Sequence, residues 1–170
     1  GLTPIKINSV IERGLNDHTA LDLVEHFRGT GVIVRFIEYM DVGTRNHWSR
    51  ERVVASRELV ERIGARWPLH AVEENYHGEV AERYAIDDGA GEVGFISSVT
   101  NPFCGSCTRA RLSSEGVFYT CLFARSGLDL RAPLRDGATD DELRSLIATT
   151  WTRRGDRYSE LRSSLHAGEQ

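Results

Sequence analysis

Lysine and methionine are almost missing from this chain: of its 21 basic side chains all but Lys6 are arginine, and Met40 is the only methionine. An arginine-biased composition leaves single survivors by chance, so position has to decide whether either one matters. Cysteine is scarce too. Cys104, Cys107 and Cys121 are the three in the chain, and an odd set cannot close into disulfides among itself. No apolar run approaches the roughly 18 residues that cross a bilayer, and the start of the chain lacks the basic and then apolar regions of a signal peptide; a reducing, cytoplasmic setting with no membrane partner is expected. Excess positive charge is also missing. A formal net charge of -4 argues against nucleic-acid binding, which needs a clustered basic surface. Repeats and low-complexity segments are absent. The 170 residues suit about one domain, but the chain opens on Gly1 and reads as an excised segment.

What is present has a clear period. Ile5 to Val10 alternates apolar and polar residues as a strand does, with Lys6 and Asn8 on the polar face. A helix from about Thr19 to Arg28 follows, capped by Asp17, striped by Leu21, Val24 and Phe27, and ended by Gly29 and Gly31. Val32 to Tyr39 returns as a largely apolar strand, so this β-α-β unit predicts parallel pairing. A loop over 41–55 leads to a helix opened by Ser56, carrying Leu59, Val60 and Ile63, and closed by Gly64. Short strands are predicted at Leu69 to Val72, Ala81 to Ile86 and Glu92 to Ser97, the last two joined as a hairpin across Asp88-Gly89-Ala90-Gly91. A second hairpin, Arg109 to Ser113 with Val117 to Thr120, would bring Cys121 back toward Cys107. Thr139 and Glu142 form a capping box for a helix carrying Leu143, Leu146 and Ile147; the arginine-rich tail beyond it has no strong pattern.

The cysteines are spaced C-x2-C-x13-C within Asn101-Pro102-Phe103-Cys104-Gly105-Ser106-Cys107-Thr108-Arg109-Ala110-Arg111 and beyond. They read as a three-thiolate metal site. A [4Fe–4S] cubane needs four ligands, so three cysteines leave one iron open for chemistry. A structural zinc site completed by His47, His70 or His77 is the plainer alternative for such a set. Arg109 and Arg111, taken alone, suit a surface hairpin as well as a binding site.

Four ordered blocks carry a resemblance: the string from Asn101 to Gly116, Tyr119-Thr120-Cys121-Leu122-Phe123, Pro4-Ile5-Lys6-Ile7-Asn8, and Arg35-Phe36-Ile37-Glu38-Tyr39-Met40. The chain resembles the MoaA family, the radical S-adenosylmethionine GTP 3',8-cyclases of molybdenum cofactor biosynthesis. The resemblance implies an α/β fold in which 1–43 are the last β/α units of an incomplete TIM-like barrel, the C-terminal part of that barrel. Residues 44–170 would be an α+β iron–sulfur and GTP-binding domain with antiparallel hairpins. It implies that Cys104, Cys107 and Cys121 hold a [4Fe–4S] cluster whose open iron takes a purine nitrogen of GTP. Lys6, Arg109, Ala110 and Arg111 would bind GTP, and Met40 would lie at the S-adenosylmethionine site. Arg35 and Glu38 share its block with weaker claims.

The family's first cluster needs C-x3-C-x2-C, which these residues lack. The resemblance therefore implies that S-adenosylmethionine and a second [4Fe–4S] cluster belong to an N-terminal half, which would take hydrogen from ribose C3' so that this carbon attacks guanine C8, and that this chain is inactive by itself. Implied partners are GTP, that other half, a second copy in a homodimer, and cyclic pyranopterin monophosphate synthase as the next enzyme. The family usually ends in Gly-Gly, whereas this chain ends Ala167-Gly168-Glu169-Gln170. A truncated pseudoenzyme and a non-catalytic zinc- or cluster-binding interaction module are the alternative readings.

Overall fold

A computed structural model describes residues 1–42 and 47–166, with 163–166 as backbone alone. The boundary expected between 43 and 44 and the tail from Ala167 lie outside the described residues. The chain divides into two compact units, Gly1–Phe103 and Cys104–Gln170.

The first unit is built on a five-stranded mixed sheet. Its strands are β1 (Lys6–Ile11), β2 (Ile33–Glu38), β3 (Leu69–Val72), β4 (Glu82–Ile86) and β5 (Glu92–Ile96), in the order β1-β2-β5-β4-β3. β1 pairs with β2 in parallel, Lys6 opposite Ile33 and Ile11 opposite Glu38, as the β-α-β pattern predicts. β2 pairs with β5 in parallel, and β5, β4 and β3 run antiparallel through the predicted hairpin. The strands on either side of the expected 43/44 boundary thus share one sheet. Central β5 is buried on both faces from Val93 to Ile96, whereas β1 at the edge alternates.

Helices α1 (Ala20–Phe27) and α2 (Ser56–Gly64) cover one face. Ala20 and Val24 of α1 and Leu59 and Ile63 of α2, each pair four residues apart, pack against Ile11, Val34, Phe36, Val93 and Phe95. The Phe36 and Phe95 rings stack at 5.8 Å. Register places Lys6, Asn8, Arg35 and Arg83 together on the opposite face, where neither helix packs. Gly94 matters there: a Cβ on it would stand 3.1 Å from Cγ of Arg35, so the glycine lets the arginine stem cross the sheet to Glu79.

Asp17 does not cap α1. Its Oδ1 accepts the Gly14 N–H at 2.8 Å, and the chain enters the helix through a 3-10 turn, Asp17–Thr19. The carboxylate is taken by this turn three residues back, and no side-chain hydrogen bond caps α1.

The second unit has a three-stranded antiparallel sheet, β6 (Arg111–Leu112), β7 (Val117–Tyr119) and β8 (Leu128–Asp129), in that order. The predicted hairpin is β6 with β7; β8 and the short α3 (Arg131–Arg135) are additions that two-residue and five-residue patterns could not announce. Gly127 precedes β8 because the backbones close up: a Cβ there would lie 2.6 Å from the Phe118 carbonyl oxygen. Helix α4 (Asp140–Thr152) opens with the predicted capping box, the Thr139 N–H donating to Glu142 Oε2 at 2.8 Å and the Glu142 N–H to Thr139 Oγ1 at 3.3 Å. The tail is also helical, as α5 (Tyr158–His166), too polar and too short to show a period. None of the apolar side chains described in this unit is buried; its one buried side chain is Arg162, and Leu112, Leu134 and Leu161 are more than half exposed.

Candidate cysteine-centred site

Cys104 opens a one-turn 3-10 helix, Cys104–Ser106, and the Cys107 N–H closes it on the Cys104 carbonyl at 3.3 Å. Cys121 follows β7 by two residues, and its Sγ accepts the Phe123 N–H at 3.4 Å. Arg111 pairs with Tyr119, so the same register carried two residues further sets Cys121 opposite Arg109. The predicted pairing of β6 with β7 is present, with Cys107 before the first strand and Cys121 after the second. All three are free thiols and half-buried. Among the described residues, however, no three His, Cys, Asp or Glu side chains converge as a metal-holding group.

The chemistry of the donors still fits a soft metal or an iron–sulfur cluster, because three thiols are the whole set and all three lie outside the β-ladder. No ladder hydrogen bond has to break to draw them in. None of the three candidate histidines joins such a group, and His70 Nδ1 stands 2.6 Å from Asp87 Oδ1.

Cys107 is the tuned member. Burial pushes its thiol up, but the Arg109 N–H and guanidinium hydrogen-bond to it, the latter with Nε 3.4 Å from Sγ. With the charges of Arg109 and Arg154, they hold it below the ordinary thiol value. Arg109 is thus turned onto a thiol as well as carrying a charge that could meet a ligand. Ala110 is exposed, and Arg111, half-buried in β6, has no ion pair among the described residues.

Lys6 and Met40 belong to the first unit. Lys6 is exposed at the N-terminal end of β1, and Met40, half-buried, lies two residues beyond the C-terminal end of β2. The strands are parallel and in register, so at about 3.3 Å per residue the two stand roughly 20 Å apart along the sheet. They cannot touch one small group. Trp48 donates Nε1–H to the Tyr39 carbonyl at 2.8 Å beside Met40.

Glu38 has a larger part than the sequence suggests. Its side chain is buried, the residue being 2% exposed. Oε1 accepts the Ser56 N–H at 2.9 Å and the Thr100 hydroxyl at 2.5 Å; Oε2 accepts the Val99 and Thr100 N–H groups, both at 2.8 Å. One carboxylate thereby ends β2, caps α2 and pins the turn four to five residues before Cys104. A charged residue on the inward-facing parity of an apolar strand was the available signal. Arg154 gave none.

A cavity of about 390 Å³ in the first unit is lined by Glu79, Arg83, Tyr84, Asn101 and Phe103 among others. Burial raises the Glu79 carboxyl, but the Asn75 N–H and amide and the charges of Arg83 and Arg35 outweigh it and hold it below the usual carboxylate value.

The family described as Molybdenum Cofactor Synthesis C matches residues 32–160. A protein named GTP 3',8-cyclase from Xanthomonas axonopodis pv. citri is 56% identical over 165 residues, covering 97% of this chain and 49% of its own length. Proteins of the same name from Acidothermus cellulolyticus and Staphylococcus epidermidis are 48% and 42% identical, covering 96% and 94% of the chain and 46% and 47% of their own lengths. The chain spans about half the length of these relatives. With that family matched over more than half of its residues, and with relatives of one name aligned along nearly all of it, the chain belongs to the molybdenum cofactor synthesis C family and is homologous to the MoaA GTP 3',8-cyclases.

Proposed function

We propose that this chain is the substrate-holding half of a GTP 3',8-cyclase, in which Cys104, Cys107 and Cys121 carry a [4Fe–4S] cluster and GTP is bound beside it. The observation that carries the reading is the set of three free thiols, one held toward its thiolate by arginine, in a chain homologous to enzymes of that name. When bound, the cluster supplies an iron without a protein ligand, able to take a purine nitrogen. Arg109 and Arg111 then present guanidinium forks suited to phosphate oxygens, with Ala110 giving close backbone approach. Lys6 adds a point charge for the nucleotide from the polar face of the first sheet. Met40, at the far end of that sheet, suits S-adenosylmethionine, and the span between the two suits separate ligands.

Holding ribose C3' and guanine C8 in one orientation is this half's contribution, and orientation alone can lower a barrier by roughly 7–11 kcal/mol. We take β1 and β2 as the last strands of an incomplete TIM-like barrel, residues 1–43, and the remainder as the cluster domain. A face of the parallel strands that neither helix covers, where Val10, Ile33 and Ile37 stand among Lys6, Asn8 and Arg35, suits a barrel interior, and β1 sits at the sheet edge. Turnover would need the other half, since C-x3-C-x2-C does not occur in these residues.

Anaerobic reconstitution of the chain tests the reading. About four irons and four sulfides per chain are expected, with an electron-paramagnetic spectrum that changes on adding GTP. Stoichiometric zinc in place of iron, or a cluster indifferent to GTP, would replace it with an interaction module or a degenerate remnant.

A further inference from the structure

The segment 151–162, running from the last two residues of α4 into α5, contacts both cysteine-bearing stretches. Arg154 donates from its guanidinium to the Cys107 carbonyl, across 47 residues of chain, and lies over the Trp151 ring at 4.1 Å from its centroid. Two residues on, Asp156 Oδ2 accepts the Thr120 hydroxyl at 2.5 Å, beside Cys121. Tyr158 then stacks on Phe123, ring centroids 4.3 Å apart and planes 18° apart. Arg162, 3% exposed, sets its guanidinium 5.3 Å from the Phe123 centroid and 5.7 Å from that of Tyr158.

These contacts run in chain order along two neighbouring loops. Arg154 meets the residue that ends the first cysteine turn; Asp156, Tyr158 and Arg162 meet the residues on either side of Cys121. The ladder beside these loops is only two residue pairs long and no apolar side chain described in the unit is buried, so polar and ring contacts carry much of their positioning. A guanidinium resting on an aromatic ring is held in place and still offers donors, which a flexible ammonium does less well.

We infer that 151–162 is a clamp that positions the cysteine triad, and that Arg154 is its positioning residue for Cys107. Arg154 acts through the backbone of Cys107. The inference rests on the cysteines being the functional set, and the test separates the two ideas.

Hydrogen exchange of the intact chain reads the clamp directly, because local opening of a loop is measured apart from global unfolding. Arg154→Ala is expected to speed exchange in 104–108 about tenfold, the scale of one lost charge-assisted hydrogen bond, and to leave α4 and the thermal midpoint unchanged. Arg154→Lys, which keeps a charged donor, restores most of that protection. Tyr158→Leu speeds exchange in 120–124 and spares 104–108. Unchanged exchange in 104–108, or a rise spread evenly over the unit, overturns the assignment. Should Arg154→Ala not fold, Trp151→Leu removes only the ring beneath the guanidinium and must loosen 104–108 while sparing 140–148 of α4, or the clamp is refuted. A wild-type chain that takes up no iron or sulfide removes the cluster reading and leaves the exchange result standing.

Discussion

At the scale of single residues, charge and burial make Cys107 and Glu38 the informative positions. Arg109 is the principal group favouring the Cys107 thiolate, so Arg109→Gln should move the pH profile of Cys107 alkylation upward in the apo chain, read peptide by peptide by mass spectrometry. Glu38→Gln puts an amide N–H₂ against backbone donors in a buried site and should cost about 2–3 kcal/mol in urea unfolding of the first unit. Glu79 gives a pH dependence. Its folded pKa is depressed, so its contribution is present above the unfolded value and is lost as pH falls through the folded one. Stability should therefore fall below about pH 4.5, and Glu79→Gln should flatten that acid limb. The lone Lys6, the lone Met40 and the cysteine triplet could be singled out from composition and motif. The contacts of Glu38 and Arg154 could not, because hydrogen bonds across 18 to 62 residues and across 47 leave no mark on local pattern.

Elements were legible where a period ran for several residues. β1, α1, β2 and α2 fell close to their predicted positions because their apolar stripes repeat against one core, and the capping box of α4 is a local signal complete in four residues. β8 and α5 were not, one because two residues carry no period and the other because its face meets arginine and aromatic rings instead of an apolar core. Asp17 was misread because the turn before it takes its carboxylate through the Gly14 N–H. At the join between β7 and β8 the backbones come close, a Cβ on Gly127 meeting the Phe118 carbonyl oxygen at 2.6 Å. Gly127→Ala should destabilise the second unit by about 1–3 kcal/mol, since the obstacle is a carbonyl oxygen that cannot swing aside; a lowered unfolding midpoint confined to that unit checks it.

For the whole molecule, the chain's length against that of its relatives bears on activity more than any side chain does. On the proposed reading it turns over GTP only when supplied with the half that carries the missing cysteine motif, and mixing the two polypeptides anaerobically should restore a product that neither makes alone. The two units also differ in how they exclude water. The first gathers Phe36, Phe95, Ile63 and their neighbours into a dry centre, while the second has no apolar side chain buried among its described residues. Heat capacity follows apolar exposure, so calorimetry should assign the first unit an increment near the usual ~12–15 cal/mol/K per residue and the second a clearly smaller one. A unit with so flat a stability curve draws little of its free energy from temperature-dependent hydration. On the proposed reading, the cluster held by its three thiols would then set how long it persists, and its half-life in a cell would follow iron and sulfur supply.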